Sequence, residues 1–302
     1  MGANIVIVNE SADWQRSRTK ARRACRLLRE QGFAFDLITS ESPRHAADIA
    51  ATAATEGIET IVVIGGDGTV NAAVNGLCSS ASDLLPRLGI IPTGSSNDLA
   101  QSLGIPLDLP GACRNVAKGN TRLIDVGCVG SHYFCSASCL GYFADIAADS
   151  HSMRGLRGSP RYIAAALSVV RRMDSGWTMQ VTADGRTFSG DYAVLLVGNA
   201  PRFGGLTMLP GAKCDDGVLD CLLIEMAGKL EALHLIALVY RQAMERHEKT
   251  TRFRTRSLSV TINRPSRLCN DGELCPGLHQ TVDYTVLPQK LSIITPKAQD
   301  GE

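Results

Sequence analysis

The first sixty residues alternate short β-branched runs with polar, helix-forming stretches, and this alternation constrains the chain more than any other feature. Ile5 to Val8 is a continuous apolar run, and the stretch from Asp13 to Gln31 offers Asp13 as an N-cap before an Arg-rich helical segment that stops at Gly32. Phe33 to Ile38 reads as a second strand. Pro43 to Glu56 is Ala-rich and helical, ended by Gly57, and Thr60 to Ile64 is an unbroken apolar run of the kind buried on both faces of a parallel sheet. A β-α-β-α-β order predicts a parallel sheet with right-handed crossovers and helices on both faces. Val70 to Gly76 reads as the next helix and Leu88 to Ile91 as the next strand.

After about Asp125 the pattern changes. Strand-like stretches at Gln180 to Ala183, Tyr192 to Val197, Val218 to Ile224, Ser257 to Ile262 and Thr281 to Val286 are separated by turn residues, with helices expected at Pro160 to Met173 and Lys229 to Glu245. The expected fold is α/β with two domains, an α/β domain over 1–125 and a β-rich domain over 126–287. A short strand at Leu291 to Thr295 leaves the tail 288–302 able to return to the first.

Composition narrows the function classes. Thirty-one Lys plus Arg against 30 Asp plus Glu give a net charge of +1, which argues against a nucleic-acid partner bound through whole-molecule charge. The apolar fraction of 44% and charged fraction of 20% are globular values. No apolar run approaches the roughly 18 residues a spanning helix needs, and no basic leader precedes Ile5, so a cytoplasmic location is expected. The 10 cysteines are scattered without a CxxC pair, and read as reduced, packed thiols. The histidines form no HxxxH or HExxH arrangement, and no GxSxG elbow indicates a serine hydrolase.

Two loops carry chemistry. Gly65-Gly66-Asp67-Gly68-Thr69 lies between a strand and a helix, where missing Cβ atoms let backbone N–H groups approach phosphate oxygens. A carboxylate in such a loop makes sense if a cation such as Mg²⁺ lies between it and the phosphates; the alternative is a tight turn built of turn-forming residues. Pro92 to Asp98 follows the next strand and opens a helix, so its hydroxyls could face the same crevice, or serve as an N-cap. Neither loop fits the Walker or dinucleotide pattern. In the second half, Asp271-Gly272 is a hairpin signal, and Glu273 beside it is either a proton acceptor for an alcohol or an exposed turn acid. Asp215-Asp216-Gly217 reads as a turn between strands.

Gly65-Gly-Asp-Gly-Thr-Val-Asn71, Thr93-Gly-Ser-Ser-Asn-Asp-Leu-Ala100, the segment Pro210 to Asp220 and Asn270-Asp-Gly-Glu273 together resemble the ordered signature of the diacylglycerol kinase catalytic domain family. That family includes bacterial soluble lipid kinases and sphingosine and ceramide kinases, and the resemblance runs from about Asn4 to Thr295. It implies an N-terminal α/β nucleotide-binding domain and a C-terminal β-sandwich domain, with ATP as co-substrate in the cleft between them. Carried over by position, Asp67 would work through Mg²⁺ and water on the ATP phosphates, supported by Asp98 and Asp125. Thr39, Gly65, Gly66, Gly68, Thr69, Asn71 and Thr93 would line the nucleotide. Asp216, with the carbonyls of Lys213 and Val218, matches a second, structural Mg²⁺ site, and Glu273 matches the general base.

The chain departs from the family pattern in three places. Ala72 stands where Glu is usual, Asn9-Glu10-Ser11-Ala12 replaces an Asn-Pro turn, and Leu99 replaces Phe. Arg-rich stretches at Arg16 to Arg29 and Arg252 to Arg256, and the Gly-containing basic segment Met153 to Arg161, are the places where a peripheral contact with the inner membrane surface is expected. The implied activity is transfer of the ATP γ-phosphate to a hydroxyl of a lipid acceptor, diacylglycerol-like or sphingoid/ceramide-like. The competing readings are a kinase of a soluble acceptor such as NAD, and a non-catalytic nucleotide- or lipid-binding regulator.

Overall fold

The computed structural model describes residues 3–9, 14–153 and 159–297. Asp13, the Glu10 to Ala12 turn, and Arg154 and Arg157 of the basic segment lie outside the described residues. The chain divides into two compact units, one formed by Met1–Ile124 with Gln289–Glu302, the other by Asp125–Pro288.

The first unit is an α/β fold. In chain order it runs β1 (Asn4–Asn9), α1 (Trp14–Glu30), β2 (Asp36–Ser40), α2 (Pro43–Thr55), β3 (Thr60–Gly65), α3 (Asp67–Ser79), β4 (Arg87–Pro92), α4 (Asp98–Ser102) and α5 (Leu109–Lys118). The strands β2, β1, β3 and β4 pair side by side and all parallel, with Val8 opposite Thr39 and Ile64 opposite Ile91. Alternation inside each strand decides which face a residue serves. Val6, Val8, Val62, Ile64 and Ile91 pack with Ala24, Cys25 and Leu28 of α1 and Ala112, Cys113 and Val116 of α5. On α2, Ala46, Ala50, Ala53 and Ala54 are buried. Gly76 of α3 lies so close to the Ala47 backbone of α2 that a Cβ there would overlap the Ala47 carbonyl, so small residues set the spacing of this helix pair.

The second unit begins within β5 (Thr121–Val129) and continues through β6 (His132–Phe134), β7 (Ala137–Gly141), α6 (Tyr142–Ser152), α7 (Ser159–Arg172), β8 (Trp177–Ala183) and β9 (Arg186–Gly198). A small hairpin, β10 (Arg202–Phe203) and β11 (Leu206–Thr207), precedes β12 (Leu219–Glu225), α8 (Lys229–Tyr240), a short 3-10 turn and β13 (Thr250–Thr255). The last strands are β14 (Ser257–Ser266), β15 (Leu268–Asn270), β16 (Glu273–Leu274) and β17 (His279–Ile294). The unit is β-sandwich-like and antiparallel, and β9 knits it together. Its first half pairs with β8, and its second half lies between β7 and β12. Phe134, fully buried, covers Gly127, where a side chain would overlap the ring, and meets Tyr284 edge to face at 6.3 Å.

Two expectations need correction. The strands expected at Thr281 to Val286 and Leu291 to Thr295 are one 16-residue strand, β17, which passes through Pro288 and a left-handed Gln289 (φ 49°) without ending; its last residues join the first unit, Ile293 opposite Leu88. The helix expected to reach Glu245 stops at Tyr240, because Gln242 turns left-handed (φ 52°) and Thr250 starts β13.

Candidate active site

The parallel register puts the C-terminal ends of β1, β2, β3 and β4 along one edge of the first unit's sheet. Asn9, Thr39, the Gly65 to Thr69 loop and the Thr93 to Asp98 loop all sit on that edge, which is where open α/β sheets hold ligands. The two loops are locked to each other. Thr93 N–H donates to the Gly65 carbonyl at 2.9 Å, and the backbones of Gly66 and Gly94 touch. Asn97, left-handed at φ 50°, closes the second loop by accepting from Gly94 N–H and donating Nδ2–H to the Gly94 carbonyl, both at 3.0 Å.

Asp67 is the bolt. Its Oδ2 accepts Asn97 N–H and its Oδ1 accepts Asp98 N–H, each at 2.7 Å. Burial pushes this carboxyl above the usual carboxylate range and outweighs the backbone N–H groups that favour its charge. Asp98 is itself buried at the start of α4. Thr69 is buried, its Oγ1 accepts Asn9 Nδ2–H at 3.3 Å, and its side chain fills the space a Cβ on Gly65 would need. Asn71 lies on α3 and takes a hydrogen bond from Asn75. Ala72, also on α3, is buried, and Gly68 is half-buried. Thr39 is exposed at the end of β2.

Asp125 belongs to the second unit, where it is fully buried, its Oδ2 taking Gly217 N–H at 2.7 Å while its own N–H donates to the Cys214 carbonyl. It therefore holds the turn that carries Lys213, Asp216 and Val218. The Asp216 carboxylate is paired with Arg254 and accepts Val218 N–H at 3.4 Å. Arg252 in turn bonds buried Asp220 at 2.8 Å. The Arg252 to Arg256 cluster thus spends two of its guanidinium groups on β12 and the turn before it. A cation at Asp216 requires the Arg254 pair to open, so the donor set as it stands does not fit a metal ion. Among the described residues no group of three or more His, Cys, Asp or Glu gathers as a metal cage.

Glu273 opens β16 and pairs with Asn270 of β15 across the two-residue turn Asp271-Gly272, whose φ values of 50° and 89° are those of a tight hairpin. The turn is anchored from a distant part of the chain. Asp271 accepts the N–H groups of Cys135, Ser136 and Ala137 at 2.9, 2.8 and 3.0 Å and returns its own N–H to the Ala137 carbonyl. Asn199 tightens the same stretch, donating to the carbonyls of Asp125 and Cys135. Glu273 is exposed at the tip of this frame. Neither Asp271 nor Asn199 was singled out from sequence as a site residue; the DG pair was the available signal for the first. Both amide atoms of Asn270 are buried without a hydrogen-bond partner, a cost of about 1–3 kcal/mol for each group unless something else meets them.

Beside this turn lies an apolar cleft of about 650 Å³ of atom-free space, lined by Phe143, Tyr162, Ile163, Phe203, Tyr240 and others, with Gly272 in its wall. A second apolar chamber of about 540 Å³, reaching Val170, Met173 and Met244, shares Phe143, Ile146, Ile236 and Val239 with the first. The ten cysteines are free and mostly buried, and burial pushes Cys113 to about 11 and Cys275 to about 12, so they behave as packing groups.

The chain thus has an α/β unit followed by a β-sandwich-like unit, and comparison with known proteins gives the same order. Residues 3–129 match the diacylglycerol kinase catalytic domain, and residues 136–295 match the YegS C-terminal NAD kinase beta sandwich-like domain. The chain belongs to this diacylglycerol kinase family. Proteins named diacylglycerol kinase from Staphylococcus epidermidis and Staphylococcus saprophyticus are 26% and 27% identical to it, over 89% of this chain and 84% and 87% of theirs. The solved structure of a diacylglycerol kinase from Bacillus anthracis superposes with a TM-score of 0.75 at 19% identity, covering 97% of each chain. Another structure from that organism reaches 0.81 at 22%, again over 97% of both.

Proposed function

We propose that this chain is an ATP-dependent lipid kinase that transfers the γ-phosphate to a hydroxyl of a diacylglycerol-like or sphingoid/ceramide-like acceptor. The observation that carries the reading is the apolar cleft whose wall includes Gly272, the residue before Glu273: a hydrocarbon-bearing alcohol lying there would have its hydroxyl within reach of the turn that carries this carboxylate. The second chamber, which shares four wall residues with the first, would suit an acceptor with more hydrocarbon if those side chains moved apart. In the first unit the paired loops would hold the nucleotide phosphates, with Gly66 and Gly94 permitting close backbone approach.

Mg²⁺, when bound with the nucleotide, would neutralise phosphate charge, with Asp67, held by the N–H groups of Asn97 and Asp98, acting on it through water. No step is assigned to Asp216. In the transfer, Glu273 takes the hydroxyl proton, the acceptor oxygen bonds to the γ-phosphorus, and the bond from that phosphorus to the β–γ bridging oxygen breaks to leave ADP. A peripheral approach to the inner membrane face, from the cytoplasm, belongs to the same reading.

The test is a panel of diacylglycerol, sphingoid base, ceramide and NAD with labelled ATP. Labelled lipid product is expected, and Glu273→Gln should lower kcat by about 10²–10⁴-fold. Because Glu273 is exposed, the same change should leave stability within about 0.5 kcal/mol. Labelling of NAD alone would replace the reading with the soluble-acceptor kinase. Nucleotide binding with no transfer to any acceptor would leave the regulator.

A further inference from the structure

The helix α8 is apolar on nearly every side: in its twelve residues, KLEALHLIALVY, charge is confined to Lys229 and Glu231. A helix of that composition is ordinarily buried all round. Here Leu235 and Val239 face the core, while Leu230, Leu233 and Tyr240 on the opposite side are 85%, 39% and 44% exposed. Their spacing of three and seven residues puts them on one stripe with Ala237. The neighbouring α7 carries a matching stripe, with Ile163 at 37% and Leu167 at 49% exposed, and Arg171 one turn further on.

The two stripes lie side by side. Lys229 Nζ donates to the Arg171 carbonyl at 2.7 Å, so the start of α8 sits at the end of α7, and Ile163 and Tyr240, from the opposite ends, together line the apolar cleft. The helices are antiparallel, and the exposed ridge runs from Leu230 to the cleft mouth. Cations stand at both ends: Arg171 and Lys229 at one, where exposed Asp174 follows, and Arg241 at the other, while Glu231 is drawn off by Lys249 at 2.7 Å and Glu245 by Arg252.

We infer that the α7–α8 ridge is the surface on which this protein lies against a bilayer containing anionic phospholipid. An apolar strip bounded by cations is the pattern of an in-plane interfacial helix, with the cations at headgroup level and the leucines at the acyl boundary. The choice of a bilayer over a second copy or another protein rests on continuity with the cleft. Whatever covers the ridge also covers Ile163 and Tyr240 at its mouth. A protein seated there would shut out a membrane-borne acceptor, whereas a bilayer delivers it. The inference rests on the lipid-acceptor reading for that step, and the experiment separates the two.

Full-length protein, the Leu230→Glu/Leu233→Glu double variant, Arg241→Glu, and a control at the exposed first-unit position Leu84→Glu are sedimented with phosphatidylcholine vesicles, with and without one-third phosphatidylglycerol. Turnover is measured with bilayer-borne diacylglycerol and with a water-soluble short-chain diacylglycerol. The wild type and Leu84→Glu should bind the anionic vesicles. The double variant should lose at least tenfold in binding and in turnover of the bilayer acceptor, with short-chain turnover unchanged. Arg241→Glu should weaken binding severalfold, and only to anionic vesicles. Leu230→Ser serves as a milder change if the double variant does not fold, and should still lower binding. Equal vesicle binding by all variants, or none by the wild type, overturns the surface and leaves the kinase reading intact. Vesicle binding that is lost in the double variant, with neither form of diacylglycerol phosphorylated, keeps the surface and removes the acceptor reading.

Discussion

At Gly94 a methyl group would stand 2.9 Å from the Asn97 side-chain Oδ1 and 2.6 Å from the Cα of Gly66, and the nearer contact is with backbone, where no flexible side chain can give way. Gly94→Ala must therefore push the two loops apart. The expected result is a loss of about 1–3 kcal/mol in unfolding free energy, the usual cost of overpacking, together with weakened ATP binding by calorimetry. Unchanged binding would show that loop spacing does not govern the nucleotide. Asn270 invites the opposite experiment. Its amide is buried and unpartnered, so replacing it with leucine of similar size removes a desolvation cost. Asn270→Leu should hold or raise the melting temperature while lowering turnover, the pattern of a residue kept for chemistry at the expense of stability. A drop in both would mean that the amide serves the fold.

At the scale of elements, α7 is tied to α6 by Arg172, which grips Asp149 through both guanidinium nitrogens, one of them at 3.0 Å. That hydrogen bonding holds the Asp149 carboxyl below the usual carboxylate range. A carboxylate with a lowered folded pKa stabilises fully above its unfolded value of 3.8, and its contribution fades as the pH falls from there through the folded value. The pair is partly exposed, so its worth is modest, about 1 kcal/mol or less. Asp149→Asn should lower the chemical-denaturation midpoint slightly at pH 7, and the gap from wild type should narrow as the pH falls below 3.8. A gap that persists in acid would assign the effect to packing.

Elements differ in how plainly the sequence announces them, and the reasons are local. The core strands β1 and β3 and the helix α2 were legible because a strand buried on both faces reads as an unbroken apolar run and an Ala-rich stretch ended by Gly57 reads as a helix, which in the structure Ser42 caps by accepting His45 N–H. By contrast, β7 (Ala137–Gly141) is built of small residues, and α6 follows it directly from Gly141 at φ 78°, with no side-chain cap to signal the change. Neither was expected. Thr281 to Val286 and Leu291 to Thr295 were expected as separate strands, yet β17 runs on through Pro288 between them. In the candidate site, the two glycine loops and the Asp271-Gly272 turn could be placed from strand ends and turn chemistry. The anchoring of Asp271 could not, because its three N–H donors lie more than 130 residues earlier, and tertiary partners leave no local trace.

For the whole molecule, each unit carries its own core, the first under α1 and α5 and the second around β7, β9 and β12. The chain passes between them at Ile124–Asp125 and again at Pro288–Gln289, so β5 and β17 each belong to both. If the nucleotide loops are in one unit and the acceptor cleft in the other, the two ligands should protect different amides. A ligand at a hundred times its Kd stabilises the state that binds it by about 2.7 kcal/mol, a hundredfold in exchange protection for amides that open only when the ligand leaves. A nonhydrolysable ATP analogue should therefore slow hydrogen exchange at residues 65–69 and 93–98, with little effect at α7 and α8. A short-chain diacylglycerol should slow exchange around α7, α8 and the Asn270 to Glu273 turn, and leave the glycine loops at their resting rate. Protection by the nucleotide confined to the second unit would move its site away from Asp67, and the role given to the paired loops would fall with it.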